Sequence, residues 1–328
     1  MLRLSLAALA LLWVMVIPMH ASEPWTTWQT PLYADSEMAG KVWDARAQQV
    51  ITPAQMIERL AQARFVLIGE IHDNPDHHRL QGWIIARLAA AGASPAVVME
   101  MISRDKSDAL EAYLAQPGAS AEGLGPALNW GESGWPAWRE YQPIAEAAFD
   151  AGLPILTGNP SGELTRAIAQ QGFDTLDQAR TAELALDEPL SPELVDALSD
   201  ELYDGHCQMV PRDKLAPMAA IQRLRDAFMA DGLLSSGREN AVLIAGNGHV
   251  RADRGVPWYL RRRAADSEVA VVMLMELNDG GLVPGDYVDA GPDGTPIADF
   301  VWLTPRAERP DPCEQMRQMM QQRSGNGG

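Results

Sequence analysis

Acids and histidines crowd one short loop of the chain, directly after an apolar run. The sequence Gly69-Glu-Ile-His72 follows Phe65-Val-Leu-Ile, and the pattern Gly-x-x-His returns at Gly246-Asn-Gly-His249. In extended backbone, residues i and i+2 point the same way, so Glu70 and His72 share one side of the chain. A carboxylate beside an imidazole can hold the ring's tautomer, act as its acid/base partner, or share a divalent metal with it. The structural alternative is that these side chains only cap the next helix.

Glu70, His72 and His249 are therefore the candidate ligands of a divalent metal ion. In a hydrolase the same three residues would hold the ion and polarise a water molecule, and they would be the catalytic residues. The sequence contains no Gly-x-Ser-x-Gly elbow, no phosphate-binding loop and no His-Glu-x-x-His helix. The common signatures of serine hydrolases, nucleotide hydrolases and zinc proteases are thus absent from the sequence.

Two further clusters contain side chains that bind iron. His77 and His78 begin a predicted helix, and His77 shares a face with Leu80 and Ile84, so it points inward or into a pocket. The stretch Leu202-Tyr-Asp-Gly-His-Cys-Gln-Met209 offers a phenol, an imidazole and a thioether, all of which ligate haem iron in proteins. The predicted haem-binding residues are His77, His78, Tyr203 and His206. No Cys-x-x-Cys-His motif occurs, so covalent haem attachment is not expected.

Buried strands must position these side chains. Apolar runs that end at Gly or at a polar residue predict strands near 65–69, 96–100, 153–158, 241–246 and 269–277, with helical segments between them. Such alternation predicts an α/β fold with a mainly parallel central sheet and helices on both faces. The carboxyl ends of parallel strands lie at one edge of a sheet, where ligands bind. The predicted pocket residues are Glu70, His72, Glu100, Asn159, Asn247 and His249.

The remaining segments give the domain organisation. Residues 1–22 have the short basic start and apolar core of a secretory signal, and residues 23–50 read as an irregular lead-in. An α/β domain then spans 51–305, with a helical cap inserted at about 161–236. At its end, 286–290 and 299–303 alternate around Gly291-Pro-Asp-Gly294 and predict an edge hairpin. Residues 306–328 are expected to form a flexible tail.

Composition limits the classes of partner. The 328 residues carry a formal net charge of -18 with a pI near 4.7, which opposes binding to nucleic acid or to an anionic membrane face. With the signal segment, this indicates an exported, periplasmic or cell-envelope protein. No cysteine lies near that segment, so the chain is not an obvious lipoprotein. Cys207 and Cys313 are the only cysteines, and they either pair or remain separate thiols.

Several motifs resemble the ChaN family of haem-binding, iron-uptake proteins. They are Leu67 to His78, Val98-Met-Glu100, Gly152 to Asn159, His206-Cys207, Gln222-Arg-Leu-Arg-Asp226 and Gly246-Asn-Gly-His249. The resemblance runs from about Val66 to Leu277. It implies an α/β core, a periplasmic or surface location, and haem binding through a tyrosine with a histidine contribution, in a dimer that encloses two haems. Tyr203 is the best-placed tyrosine for that role.

The sequence thus predicts an exported haem-binding protein of haem or iron uptake, with haem between the strand-end loops and the cap. Its partners would be haem, an outer-membrane haem receptor or a periplasmic haem carrier, and a second copy of the chain. A protein without enzymatic activity is favoured. The alternative is a metal-dependent peptidase or esterase, because the family belongs to a wider group with the Tiki metalloproteases, which share the paired Gly-x-x-His motifs and the glutamate. The sequence also suggests Arg79, Arg104, Arg212 and Arg251 as cations for the haem propionates.

Overall fold

The central element is one sheet of eight strands. The computed structural model describes residues 23–325, so the predicted signal segment lies outside the described residues. The strands are β1 (Val42–Asp44), β2 (Gln49–Ile51), β3 (Phe65–Glu70), β4 (Ala96–Ser103), β5 (Ile155–Asn159), β6 (Ala241–Gly246), β7 (Val269–Glu276) and β8 (Phe300–Thr304). Their order is β2-β1-β8-β7-β3-β6-β4-β5, in which β8 through β5 are parallel and β1 pairs antiparallel with both of its neighbours. The predicted mainly parallel sheet is confirmed.

Helices cover both faces of this sheet, as predicted. They are α1 (Pro53–Leu60), α2 (Pro75–Ala90), α3 (Ser107–Leu114), α4 (Ala121–Ala127), α5 (Trp138–Asp150), α6 (Gly162–Gln171), α7 (Gln178–Glu183), α8 (Pro192–Gly205), α9 (Ala216–Leu234), α10 (Asn247–Val250), α11 (Val256–Arg263) and α12 (Pro312–Gly325). Two separate apolar cores result. Val66 and Ile68 of β3 pack into one core with α2 and α5, whereas Phe65 and Leu67 pack into the other with α9 and α11. Successive side chains of a strand point to opposite faces, which explains this division.

Local capping sets the start of the helix that carries His77 and His78. Asn74 accepts a hydrogen bond from the backbone N–H of Asp76 at 3.0 Å, and Pro75 occupies the first helical position. An asparagine cap followed by proline is a favoured helix start, because the proline lacks an N–H that would need a partner there. The turn between β3 and α2 is therefore short, and it holds Glu70 and His72 at the carboxyl end of β3.

The predicted helical insertion, residues 161–236, contains α6, α7, α8 and α9 and no strand, and all of its residues are described. Ile168, Leu198 and Phe228 from this insertion pack into the same core as Leu67 and Val98 of the sheet. It therefore forms a layer on one face of the sheet as well as a cover near the strand ends. The connection from α3 to α5 contains the short helix α4.

The predicted edge hairpin near the C-terminus is wrong. Phe300–Thr304 is the internal strand β8, between β7 and β1, and all five of its residues are buried. A strand that is buried along its whole length needs a paired strand along each edge and packed side chains on both faces of the sheet. The segment 286–290 contains a 3-10 turn at Pro284–Tyr287 and a single bridge between Ala290 and Pro296. The lead-in, predicted to be irregular, instead contributes the edge hairpin β1 and β2.

The predicted flexible tail is held at several points, which corrects that prediction. The Arg309 guanidinium donates to both carboxylate oxygens of Glu276 at 2.7 Å, and its Nε donates to Asp73 at 2.7 Å. Helix α12 follows, and Cys313 in its first turn forms a disulfide with Cys207. The tail therefore runs from the β3–α2 turn to the end of α8. The sequence left the pairing of the two cysteines open.

None of the helices between residues 23 and 325 combines the length and the apolar character that crossing a membrane requires.

Candidate functional site at the strand ends

The first Gly-x-x-His turn is built around Glu70, the last residue of β3. This carboxylate is buried, and its Oε1 accepts hydrogen bonds from the Tyr141 hydroxyl and from His72 Nδ1, each at 2.8 Å. Its Oε2 lies 3.4 Å from Nε2 of His78. Tyr141 comes from α5, which packs against α2, so two helices and a strand hold the carboxylate. The i, i+2 prediction for Glu70 and His72 is confirmed by their direct contact.

Glu70 is ionised in this setting. Burial alone would raise the pKa of its carboxyl, but His78 and His72 outweigh burial and hold the pKa below its usual range. Burial would lower the pKa of His72, yet the hydrogen bond and charge of Glu70 raise it. Glu70 also adds to the effect of burial in raising the pKa of Tyr141. Because Nδ1 of His72 faces Glu70, its Nε2 points away from the carboxylate.

The second Gly-x-x-His turn is built around His249, which lies in α10 directly after β6. Its Nδ1 donates to Asp226 Oδ1 at 2.6 Å, and its Nε2 lies 3.2 Å from Oε1 of Glu100. The Gln222 side-chain amide lies 3.1 Å from the same Nδ1. Asp226 and Gln222 are both on α9, so the helical insertion supplies two of these three contacts of the imidazole.

His249 is an imidazolium between two carboxylates. Burial would lower its pKa, but the charges of Glu100 and Asp226 raise the pKa of His249 to about 10. Burial would raise the pKa of Glu100, and His249 instead lowers it to about 2. For Asp226 burial dominates over His249 and raises the pKa to about 6. A buried charge is tolerated when it is paired and hydrogen-bonded, as His249 is.

The glycines of the two motifs make room for each other. A Cβ on Gly246 would lie 2.9 Å from Nε2 of His72, and a Cβ on Gly69 would lie 2.2 Å from the side-chain oxygen of Asn247. Each glycine thus faces the other motif. Because glycine has no side chain, the two turns can pack directly against each other at these positions.

Two amides complete the predicted pocket. Asn159 Nδ2 donates to the backbone carbonyl oxygen of Glu100 at 2.7 Å, and Asn247 Nδ2 donates to that of Leu274 at 2.9 Å. The side-chain oxygen of each amide is buried without a hydrogen-bond partner. Together with the contacts above, the structure brings all six predicted pocket residues to the same end of the sheet.

His77 and His78 are placed differently from the prediction. His77 is fully buried, its Nδ1 accepts from the Ile71 backbone N–H at 2.9 Å, and its Nε2 contacts the Thr304 hydroxyl at 2.8 Å. Burial lowers the pKa of His77 to about 3, so the ring is neutral. His78 is also fully buried and stacks on Tyr141, with ring centroids 3.9 Å apart. Neither imidazole reaches a haem from these positions, which corrects their assignment as haem ligands. Of the two directions that sequence left open for His77, the structure shows the inward one.

Tyr203 and His206 lie at the end of α8 and are both partly exposed. His206 Nδ1 lies 2.7 Å from the carbonyl oxygen of Leu202 and donates to it, so the lone pair of the neutral ring is on Nε2. Arg212 lies over the Tyr203 ring at 4.3 Å. On the same helix, a Glu201 oxygen lies 2.8 Å from the position of a Cβ on Gly248. The end of α8 therefore adjoins the second Gly-x-x-His turn.

A cavity of about 420 Å³ opens beside the paired motifs, and we call it the rim cavity. It lies between the ends of β4 and β5, helix α9 and the loop that carries Trp130 and Trp135. Asn159 lines it and connects it to Glu100. Trp135 also lines it and packs edge-on against His72, with ring centroids 4.8 Å apart. A larger cavity of about 850 Å³, beside the start of α8 and α11, contains none of the predicted site residues.

The predicted divalent-metal site is not supported. Within residues 23–325, no three His, Cys, Asp or Glu side chains are arranged to hold a metal ion. Glu70, Glu100 and Asp226 instead accept hydrogen bonds from imidazoles. The metal-dependent hydrolase therefore gains no support from this geometry.

The suggested propionate cations are also already paired. Arg79 pairs with Asp76, Arg104 with Asp231, Arg212 with Asp200, and Arg251 with Asp253. In two of the four pairs, Arg104–Asp231 and Arg212–Asp200, the aspartate lies on another element of the fold. The position of the arginine near a motif therefore gave no sign of its partner.

Sequence reasoning missed the roles of Asp226 and Tyr141. A signal for Asp226 existed, because it is an acid within the apolar run Leu224 to Leu233 of α9, and a buried acid needs a partner. Tyr141 had no such signal, since nothing in a sequence shows which strand end a helical tyrosine meets.

The fold and site define a class of α/β proteins in which two Gly-x-x-His turns meet a glutamate at the carboxyl ends of the strands. Residues 56–260, more than half of the chain, match the family described as "Haem-binding uptake, Tiki superfamily, ChaN". The chain belongs to this family. No curated protein sequence matches the chain.

Solved structures are similar to the chain to different degrees. The chain is similar to ChaN of Campylobacter jejuni, solved with cofacial haem binding, at 22% identity and a TM-score of 0.62, over 81% of this chain and 97% of that one. It is more distantly similar to the type III effector HopBA1, at 13% identity and a TM-score of 0.42, over 76% of this chain and 91% of that one. An erythromycin esterase mutant in its open conformation matches at 14% identity and a TM-score of 0.38, over 88% and 86%. The likeness to the Campylobacter protein confirms the fold.

Proposed function

We propose that the protein binds haem at the end of α8 and takes part in haem or iron uptake outside the cytoplasm. Membership of the haem-binding uptake family supports the ligand. The observation that carries the proposal for this chain is the pair Tyr203 and His206. They present a phenol and an imidazole, both partly exposed, beside the paired motifs.

The donor chemistry of this pair fits haem iron. His206 donates from Nδ1 to the Leu202 carbonyl, which leaves Nε2 free and orients the ring as in many metal-binding histidines. Within the described residues, the Tyr203 hydroxyl has no hydrogen-bond partner, so it is available as a ligand. Residues three apart on a helix share a face. Both side chains therefore approach a haem from one side, Tyr203 as the iron ligand and His206 as its hydrogen-bond partner.

Export is part of the same proposal. The disulfide between Cys207 and Cys313 is of the kind that persists in oxidising compartments, and residues 1–22 read as a secretory signal. An exported haem-binding protein of uptake would exchange its ligand with an outer-membrane haem receptor or a periplasmic haem carrier.

A haemin titration tests the proposal. We expect a Soret band at a defined stoichiometry, a shift of that band and weaker binding in Tyr203→Phe, and a smaller effect in His206→Ala. Tyr113→Phe is the matched control, because Tyr113 packs in the core on the other face of the sheet and bonds Ser120. Failure of the wild-type protein to bind haemin would remove the proposed function. An unchanged titration in both α8 variants would remove the ligand assignment alone.

A further inference from the structure

Among the described side chains, most of the unpaired positive charge lies around the rim cavity. Of the described lysine and arginine side chains, only four have no hydrogen-bond, ion-pair or aromatic partner: Lys41, Lys106, Arg166 and Arg225. Three of them, all except Lys41, line the rim cavity. In a chain with 44 acids and 26 bases, most cations find a carboxylate. The clustering of those that do not is therefore informative.

Only one acid among the lining residues opposes these three cations. It is Asp105, whose Oδ2 already accepts from the backbone N–H of Gly162 at 2.8 Å and from the Ser103 hydroxyl at 3.4 Å. Like charges placed around a small volume repel each other, and an anionic ligand relieves that repulsion. Lys106 and Arg225 are partly buried, which reduces the screening of their charge by solvent.

The other walls show what kind of anion would fit. Met101, Ile102 and Leu128 supply apolar surface, and the Trp135 ring offers a flat aromatic side. Asn159 is 7% exposed, and its side-chain oxygen has no partner. That oxygen needs an N–H or O–H donor, which a protonated carboxyl or a water held by a carboxylate supplies. The walls match a carboxylate carried on a flat apolar body.

Helix α9 connects the cavity to the second Gly-x-x-His turn, and helix α8 connects the proposed haem ligands to the same turn. Arg225 precedes Asp226, which holds His249, and Tyr203 lies on the helix whose Glu201 meets Gly248. We propose that the rim cavity is a carboxylate subsite and that, resting on the proposed function, it receives the propionate groups of haem. Arg225 and Arg166 bind the carboxylates, with Lys106 as a third cation, while the tetrapyrrole extends past Trp135. These propionate-binding cations are not the four arginines that the sequence suggested for that role, because each of those four is paired with an aspartate.

The experiment compares iron-free protoporphyrin IX with its dimethyl ester, which has the same ring and no carboxylates. Binding is followed by quenching of tryptophan fluorescence, so it does not depend on iron ligation. We expect the acid to bind about tenfold or more tightly than the ester, because charge-assisted hydrogen bonds of the acid are lost in the ester. In Arg166→Gln/Arg225→Gln this preference should disappear, while Lys41→Gln, which removes an equally unpaired charge outside the cavity, should retain it.

Equal binding of acid and ester by the wild-type protein would overturn the inference, as would a preference that survives in the double variant. Either result leaves haemin binding, and so the proposed function, intact. The single variant Arg166→Gln alters an exposed side chain and keeps the test available if the double variant fails to fold. If neither haemin nor the porphyrin binds, calorimetric titration with 2-naphthoate decides about the subsite. If 2-naphthoate binds and its binding weakens in Arg166→Gln/Arg225→Gln, or in Arg166→Gln alone, the cavity is a carboxylate site for a ligand other than haem. If 2-naphthoate does not bind, the carboxylate subsite is rejected.

Discussion

At the scale of residues, the site consists of two acid–imidazole groups with buried carboxylates, which face each other across a pair of glycines. Glu70 holds His72, and Glu100 with Asp226 holds His249. The two imidazoles differ in exposure: His249 is 6% exposed, whereas the His72 side chain is 38% exposed. Of the two imidazoles, His72 therefore reaches solvent, beside Trp135 of the rim cavity, whereas His249 is held inside the protein.

The charge on His249 predicts a pH dependence of stability. Its folded pKa of about 10 lies above the ordinary value of 6.5, so its contribution is fully present below about pH 6.5 and is lost as pH rises through 10. His249→Gln should lower the free energy of unfolding by about 3–5 kcal/mol near pH 6.5, because two buried carboxylates lose their partner. The difference from wild type should shrink toward pH 10. Urea unfolding across this range measures it.

The matched control is His206→Gln, at a partly exposed imidazole with one backbone contact. This change should have little effect on stability at any pH in the range. A His249→Gln deficit that stays constant from pH 6.5 to 10 would show that packing, and not charge, explains the loss.

At the scale of elements, the C-terminal segment, residues 306–325, is held against the rest of the fold at two points, and we call it the strap. Arg309 ties it to the β3–α2 turn and to Glu276, and the disulfide ties α12 to the end of α8. The end of α8 carries the proposed haem ligands, so the position of those ligands depends partly on the tail. A sequence rich in Met, Gln and Arg does not by itself indicate such an arrangement.

Removing the disulfide tests this role. The bond closes a loop with a sequence separation of 106 residues. Cys207→Ala/Cys313→Ala should lower the free energy of unfolding by about 2–5 kcal/mol, because the cross-link restricts the unfolded chain. Urea midpoints with and without reductant measure the change, and the wild type in reductant should match the variant.

Asp73→Asn is a suitable comparison for the strap, since it removes an exposed ion pair of Arg309 and should cost no more than about 1 kcal/mol. If the double cysteine variant is as stable as the wild type, the strap does not stabilise the fold.

At the scale of the whole molecule, the proposed ligands Tyr203 and His206 lie at the end of one helix. The sequence resemblance implied a dimer that encloses two haems. Under the proposed function, that dimer remains a prediction for this chain.

We therefore expect the protein to change from monomer to dimer when haemin is added at one equivalent per chain. Light scattering coupled to size-exclusion chromatography measures the mass. Tyr203→Phe should weaken the haem-dependent dimer, and Tyr113→Phe should not. A mass that is the same with and without haemin would contradict this expectation while leaving haem binding itself unaffected.

The sequence by itself determined the five parallel strands β3 to β7 and their meeting at one rim. Apolar runs that stop at glycine or at a polar residue are local signals, and the parallel arrangement follows from their alternation with helices. For that reason Glu70, His72, Glu100 and His249 could be brought together before any coordinates were known. The capping of α2 by Asn74 is likewise a local property.

Only the tertiary structure decided which partner each charged group has. Whether His77 turns into the core, whether Asp226 reaches His249, and which cations stay unpaired all depend on how distant helices pack, and short-range pattern carries no information about that. The same holds for β8, an apolar run that could equally have been an edge strand until β1 was found beside it. Chemistry at this rim is set by burial and by long-range contacts, because these govern both exposure and charge.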